Sequence, residues 1–190
     1  MDLQFKTIYD PHHFTCVQIG CGPKYLPGFV NIDQVLPADV LLDLEFCQLP
    51  FYTGTVDYVL ASHVLEHIRD LRSLKQELCR IMRPRGTLHI QVPYYTSPDA
   101  WGDDTHCRAF TEESFMSCYW PGFIYADRMF VTAQKYATGG QDISIEVLLR
   151  RNHDTYKTVR ECLYFSVLKG PARVVTRAPL EPSHPRGIPT

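Results

Sequence analysis

Three groups of residues carry types and spacings that can do chemistry. The first is Gly20-Cys21-Gly22, directly after the apolar run Thr15-Cys16-Val17-Gln18-Ile19, followed by Asp33 and Asp43, each near the end of an apolar run of its own. Glycines after a strand let the backbone turn tightly and approach a ligand, with N–H groups free to bind an anionic end. An acid ending the next strand can accept two hydrogen bonds from the vicinal hydroxyls of a ribose, and Asp43 on the same edge can accept one from an adenine amino group. The bland readings are a tight turn and a surface acid at a strand terminus. Tyr25 stands where the dinucleotide fingerprint needs its third glycine, which disfavours NAD or FAD.

The second group is His63-Val64-Leu65-Glu66-His67, which matches H-x-x-E-H, a pattern in which two histidines four apart on a helix bind zinc and the glutamate activates water. It follows directly on a buried strand, and no downstream acid stands out as a third ligand. The expectation is that Glu66 and His67 pack or hydrogen-bond at the start of a helix, with no metal bound; a zinc metallopeptidase is the disfavoured alternative. The third group is the 94–110 segment. Tyr94, Tyr95 and Trp101 supply flat apolar walls, Asp99, Asp103, Asp104 and His106 supply polar groups, and Arg108 can hold an anionic substrate. His106 follows two acids and is a candidate general base; its bland alternative is a histidine that ties the loop down or caps the next helix. His89 and the pair His12-His13 are assigned to structure or surface.

These groups need a scaffold, and strand and helix signals alternate to provide one. Strands are expected at 15–19, 29–33, 40–44 and 56–61, the last a mostly apolar run suited to the middle of a parallel sheet. Asp70 caps a helix whose apolar face is Leu71, Leu74, Leu78 and Ile81; Pro84 and Gly86 end it. Another strand is expected over 87–92, then a short helix over 111–119 capped by Thr111. Two antiparallel strands follow at about 128–136 and 142–150, and then an amphipathic stretch through Tyr156, Val159, Leu163 and Val167. The fold class is parallel α/β with an antiparallel edge. The first three strands are joined by links too short for full crossover helices, so either those helices have shrunk to single turns or the third strand is only an extended edge segment.

With 190 residues the chain makes one domain, 1–169, and a Pro-rich tail, 170–190, with five prolines in its last 21 residues. The hydrophobic share of 45% and charged share of 21% are those of a soluble globular protein. No apolar run nears the roughly 18 residues of a membrane span, and Met1 to Phe14 lacks the apolar core of a signal peptide, so a cytoplasmic protein with no membrane partner is expected. The seven cysteines form no C-x-x-C pair and read as free thiols. Residues 1–149 carry 11 Lys/Arg against 18 Asp/Glu and residues 150–190 carry 8 against 3, so there is no basic stripe interleaved with aromatics to suggest nucleic acid. The 156–169 stretch offers a face for a homodimer.

Taken in order, Val17-Gln18-Ile19-Gly20-Cys21-Gly22-Pro23, Gly28-Phe29-Val30-Asn31-Ile32-Asp33, Asp43-Leu44 and Leu49-Pro50-Phe51 resemble the small class I S-adenosylmethionine-dependent methyltransferases, in their compact methyltransferase-11-like branch. Ala61 to Ile68, Arg83 to Leu88, and Asp104-Thr105-His106-Cys107-Arg108-Ala109-Phe110-Thr111 are similar to downstream segments of the same family. Gln18, Lys24 and Arg85 depart from its commonest residues. The resemblance implies a Rossmann-like, seven-stranded, mostly parallel sheet, with the last strand inserted antiparallel beside the fifth. It also implies S-adenosyl-L-methionine along the carboxyl edge: Gly20, Cys21 and Gly22 at the methionine part, Asp33 at the ribose, Asp43 with Leu44 at the adenine, and Ser62 with His63 lining the pocket beside the sulfonium. The expected function is methyl transfer to a small-molecule acceptor, by O- or N-methylation before C-methylation, with His106 or His63 as base. Its rival is a non-catalytic cofactor-binding module that acts through protein contacts.

Overall fold

A computed structural model describes residues 14–45, 48–116, 119–120, 122–135, 141–151 and 173–176. Its strands are β1 (Cys16–Ile19), β2 (Val30–Asp33), β3 (Val40–Leu41), β4 (Val56–Ser62), β5 (Met82–Pro93), β6 (Phe123–Lys135), β7 (Gln141–Arg151) and β8 (Arg173–Thr176). They form a single sheet in the order β3-β2-β1-β4-β5-β7-β6-β8. β1 to β5 are parallel, and β7 inserts antiparallel between β5 and β6. All seven expected strands are present, and β8 adds an eighth, parallel to β6. It lies inside the segment expected to be a tail. The prolines there stand at 171, 179, 182, 185 and 189, leaving Arg173 and the β-branched Val174-Val175-Thr176 free to pair at an edge.

α1 (Leu71–Ile81) forms as its pattern requires. Asp70 Oδ1 accepts from Ser73 N at 3.1 Å, and Leu71, Leu74, Leu78 and Ile81 are buried. That stripe packs on one sheet face, which supplies Val17, Ile19, Val59, Ala61, Leu88, Ile90, Ile145, Val147 and Leu149. The helix stops at Ile81 and Met82 is already extended, so β5 begins five residues earlier than expected. Arg83 precedes Pro84 and is steered away from helical angles. The extra residues are taken up by an irregular stretch, since Val56 pairs with Met82 but Tyr58 with Thr87. On the other face, Tyr58 OH meets His89 Nδ1 at 2.6 Å and His89 Nε2 meets Glu146 Oε1 at 2.7 Å, a ladder across β4, β5 and β7. His89 is thus structural, as expected.

Among the described residues, no helix joins β1 to β2, β2 to β3, or β3 to β4. The third strand is the short edge alternative, two residues long. A buried asparagine holds this region instead. Asn31, fully buried in β2, accepts from Leu26 N and donates through Nδ2 to Leu26 O, Phe29 O and Asp39 Oδ2, each at 3.0 Å; Asp39 Oδ2 also accepts Asn31 N at 2.8 Å. The expected 111–119 helix is a single 3-10 turn, Glu112–Phe115, closed by a reciprocal Thr111–Ser114 capping box. After it Trp120 is buried with Phe115 and Phe123 around it, and the Lys75 ammonium lies 4.3 Å from its ring centre. The 156–169 stretch lies outside the described residues.

Candidate functional site

Parallel strands end on one edge, so the links after β1, β2, β3, β4 and β5 all emerge together. After β1 the chain turns at Gly20 and Gly22, with φ of +62° and +50° that only glycine adopts freely. A Cβ at Gly20 would fall onto the Val64 side chain, whereas one at Gly22 would meet nothing within 4 Å, so the turn is tight on its β4 side and open towards the edge. The amides here are not free donors, contrary to expectation. Gly20 N donates to Ile32 O at 2.8 Å, Cys21 N to the same oxygen at 3.3 Å, and Gly22 N to Asp33 Oδ2 at 2.8 Å. What the turn offers a ligand is its shape. The buried Cys21 side chain donates to Pro37 O at 3.2 Å, so its contribution to the edge is backbone alone.

Asp33 ends β2 half-buried. Its Oδ2 takes Gly22 N and its Oδ1 takes Val35 N at 3.1 Å, which fixes the carboxylate beside the glycine turn with further lone pairs on both oxygens. Asp43 is exposed beyond β3 with Oδ1 accepting Glu45 N at 2.9 Å, and Leu44 packs against the core. Glu45 in turn accepts Arg69 N and Asp70 N, tying this link to the start of α1. The edge thus presents a glycine turn, a half-buried acid and a core-packed leucine in succession.

Beyond β4, Ser62 donates to Gln91 Oε1 at 3.3 Å and His63 takes a positive φ of 51°. The chain then runs through turns, with His67 N bonded to Val64 O, and does not enter a helix before Leu71. His63 and His67 therefore do not share a helical face, and the inverted zincin geometry is not formed. His63 Nδ1 lies 3.6 Å from Glu66 Oε1 instead. Glu66 is 1% exposed, and neither of its carboxylate oxygens has a hydrogen-bond partner among the described residues.

The segment after β5 folds back on these turns. Tyr95 N bonds to Phe110 O and Tyr94 bridges to Phe110, closing an excursion that contains the one-turn helix α2 (Asp99–Gly102). Cys107 N donates to Glu66 O at 2.8 Å and brings the excursion against the 63–67 turns. Thr105 Oγ1 donates to Asp103 Oδ1 at 2.6 Å and meets His67 Nδ1 at 2.9 Å. These bonds from Thr105 hold the Asp103 carboxyl below its ordinary range. His106 packs its ring 4.6 Å from that of His67, edge to face, with its side chain 8% exposed. A cleft of about 670 Å³ lies between, lined by His63, Glu66, His67, Pro93, Asp103 and His106 among others.

The structure brings His63 and His106 together at this cleft. The aromatic residues stand elsewhere on the excursion: Tyr94 OH donates to Glu112 at 2.7 Å, with burial and that carboxylate raising its pKa, while Tyr95 and Trp101 are exposed and joined by the Trp101 indole N–H to Tyr95 O. Arg108 departs furthest from its expected role. Its guanidinium donates to Ile68 O and Arg69 O at 2.6 and 2.8 Å, closing the approach to α1 rather than facing the cleft. Glu66 and His67 were expected to pack or hydrogen-bond at a helix start; His67 does both, with His106 and Thr105, ahead of the helix rather than in it, and both residues also line the cleft. The signal for them was the pairing of H-x-x-E-H with Asp103-x-x-His106, two short motifs that only the fold puts side by side.

Residues 29–90 match the family described as the methyltransferase domain. Solved structures similar in fold include an S-adenosylmethionine-dependent methyltransferase of Methanosarcina mazei, 13% identical over 77% of this chain and 96% of that one, with a TM-score of 0.57. Another, of Archaeoglobus fulgidus, is 16% identical over 75% and 88% of the two chains with a TM-score of 0.55. A third, of Mesorhizobium loti, is 14% identical over 72% and 90%, with a TM-score of 0.53. At these identities the likeness is one of fold. No curated protein matches the chain by sequence.

Proposed function

From the premise that this chain is a class I S-adenosylmethionine-dependent methyltransferase, we propose that it methylates an oxygen or nitrogen of a small polar acceptor held in the cleft between the β4 and β5 links. When bound, S-adenosylmethionine supplies a methyl group whose bonding electrons leave with sulfur as an acceptor lone pair forms the new bond. The protein's part is to hold both partners in line and to keep water out. Gly20 and Gly22 shape the bed for the cofactor, Asp33 takes the ribose hydroxyls, and Asp43 and Leu44 bound the adenine. Ser62 and His63, at the end of β4, border both halves of the site.

The observation that carries this reading is contact between the halves. Val64, the side chain that a Cβ at Gly20 would strike, follows directly on the cleft-lining His63, so the glycine turn and the cleft meet through adjacent residues of one link. An acceptor hydroxyl or ammonium must lose a proton, and His106 or His63 takes it as a neutral imidazole.

The test is a methyl-transfer assay with labelled S-adenosylmethionine against panels of hydroxy acids, sugars, amines and phenols, alongside protein and RNA. Transfer to a small-molecule class is the expected result. Label appearing only on protein or RNA overturns the acceptor assignment.

A further inference from the structure

We propose that Glu66, His67 and His106 bind a single divalent cation of the zinc class in the cleft. Glu66 gives one carboxylate oxygen and each histidine one ring nitrogen, and these three atoms lie within 4.8 Å of one another. A zinc ion with donors at about 2.0–2.2 Å holds them roughly 3.4 Å apart, so small side-chain rotations close the set. Two histidines and a carboxylate suit zinc and its first-row neighbours, and three protein ligands leave a position open to the cleft.

Two observations point to a ligand independently of that clustering. The first is Glu66. A carboxylate 1% exposed with neither oxygen hydrogen-bonded among the described residues carries a large desolvation penalty, and His63 at 3.6 Å reaches only one oxygen, from beyond hydrogen-bond distance. A cation supplies what is missing. The second is the tautomer of each histidine. Thr105 Oγ1 spends its proton on Asp103, so at 2.9 Å it must accept from His67 Nδ1, which leaves the lone pair of His67 on Nε2. His106 Nδ1 faces the Ala100 carbonyl at 3.4 Å, and a carbonyl only accepts, so Nε2 is the nitrogen left for a metal. The chain Asp103–Thr105–His67 is the outer-shell support that metal-binding histidines use. Asp103 Oδ2, 3.8 Å from His106 Nε2, adds a second negative charge beside the ion.

This deepens the methyl-transfer reading and rests on it only for the ion's task, which is to coordinate an acceptor oxygen and lower the pKa of its hydroxyl. The acceptor class is then one with a hydroxyl able to coordinate, such as a hydroxy acid or a vicinal diol. With His106 engaged as a ligand, His63 is the base.

The experiment uses the full chain, loaded with zinc sulfate and dialysed, with metal content measured by mass spectrometry and S-adenosylhomocysteine affinity by calorimetry. The expected result is a single zinc per chain, lost in His106→Ala and Glu66→Gln while S-adenosylhomocysteine affinity is kept. Thr105→Val, which keeps all three ligands but breaks the support of His67, should weaken zinc affinity by about 10–100-fold. Cobalt in place of zinc should give visible d–d absorption without a thiolate charge-transfer band, and Cys107→Ser, removing the exposed thiol beside His67, should leave zinc content unchanged. No retained zinc, or equal retention in parent and ligand variants, overturns the site. Zinc binding without S-adenosylhomocysteine binding would leave the site standing and defeat the methyl-transfer reading instead.

Discussion

The glycine-turn edge and the histidine cleft lie against each other and are finished differently. Along β1 to β3 the amides of Gly20, Cys21 and Gly22 are bonded within the protein, and Asn31 uses its amide oxygen and both amide hydrogens. In the cleft, a buried carboxylate has no hydrogen-bond partner among the described residues, and two imidazoles pack edge to face within reach of it. The first region satisfies these polar groups from within. The second, among the described residues, does not. Buried polar groups that satisfy one another report architecture, and buried polar groups that do not report a binding partner.

The sharpest way to break that contrast is His106→Ala. As base or as metal ligand, its loss should lower turnover by about 10²–10⁴-fold in a methyl-transfer assay, with the thermal midpoint and S-adenosylhomocysteine affinity near those of the parent. Loss of fold instead would make the cleft architecture too. Asn31→Ala should do the reverse. It leaves Leu26 N without its acceptor and takes a donor from Leu26 O, Phe29 O and Asp39 Oδ2, and should cost about 2–4 kcal/mol in urea unfolding. A change under about 0.5 kcal/mol would mean that the first links do not need their knot.

Asp33→Ala tests the seam between shape and ligand. It removes the acceptor that holds Gly22 N as well as the proposed ribose contacts, and S-adenosylhomocysteine affinity should fall at least roughly tenfold by calorimetry. Unchanged affinity would remove Asp33 from the cofactor site.

The smallest effect lies outside both regions. Burial, reinforced by the charge of Arg108, lowers the Lys75 pKa to about 8. Between there and its ordinary value of 10.5 the unfolded chain holds a proton on Lys75 that the folded chain does not, so this residue makes stability rise with pH across that window. Urea unfolding at both ends should show the parent gaining on Lys75→Met as pH increases. A constant gap would mean that the ammonium over Trp120 is not desolvated.

Much of the scaffold was legible because its causes are local. The Asp70 cap, the Leu71-Leu74-Leu78-Ile81 stripe and the alternation Ile143-Ile145-Val147-Leu149 each need only a few neighbouring residues to be read. The Asn31 knot was not, because its meaning depends on Asp39 being eight residues along and across a turn. Arg108 was misplaced for the same reason: the carbonyls that occupy it lie 39 and 40 residues earlier in the chain. The cleft was half legible. His63 and His106 were found by type, whereas the place of the buried Glu66 in the lining depends on a fold that sets it against Cys107, 41 residues later in the chain.

The lean links between the first strands also bear on how the chain folds. Val17 pairs with Val30 and Ile32 with Val40, partners about a dozen residues apart or fewer, whereas Thr87 pairs with Arg150 about sixty residues away. Loop closure is cheaper the shorter the loop, so the β1–β2–β3 edge is built from contacts the chain can find early, and the β5–β7 seam from contacts it must find late. The glycine-turn edge is then the part of the sheet assembled from local encounters. The cleft, which needs the β4 turns and the β5 excursion held together, waits for the rest.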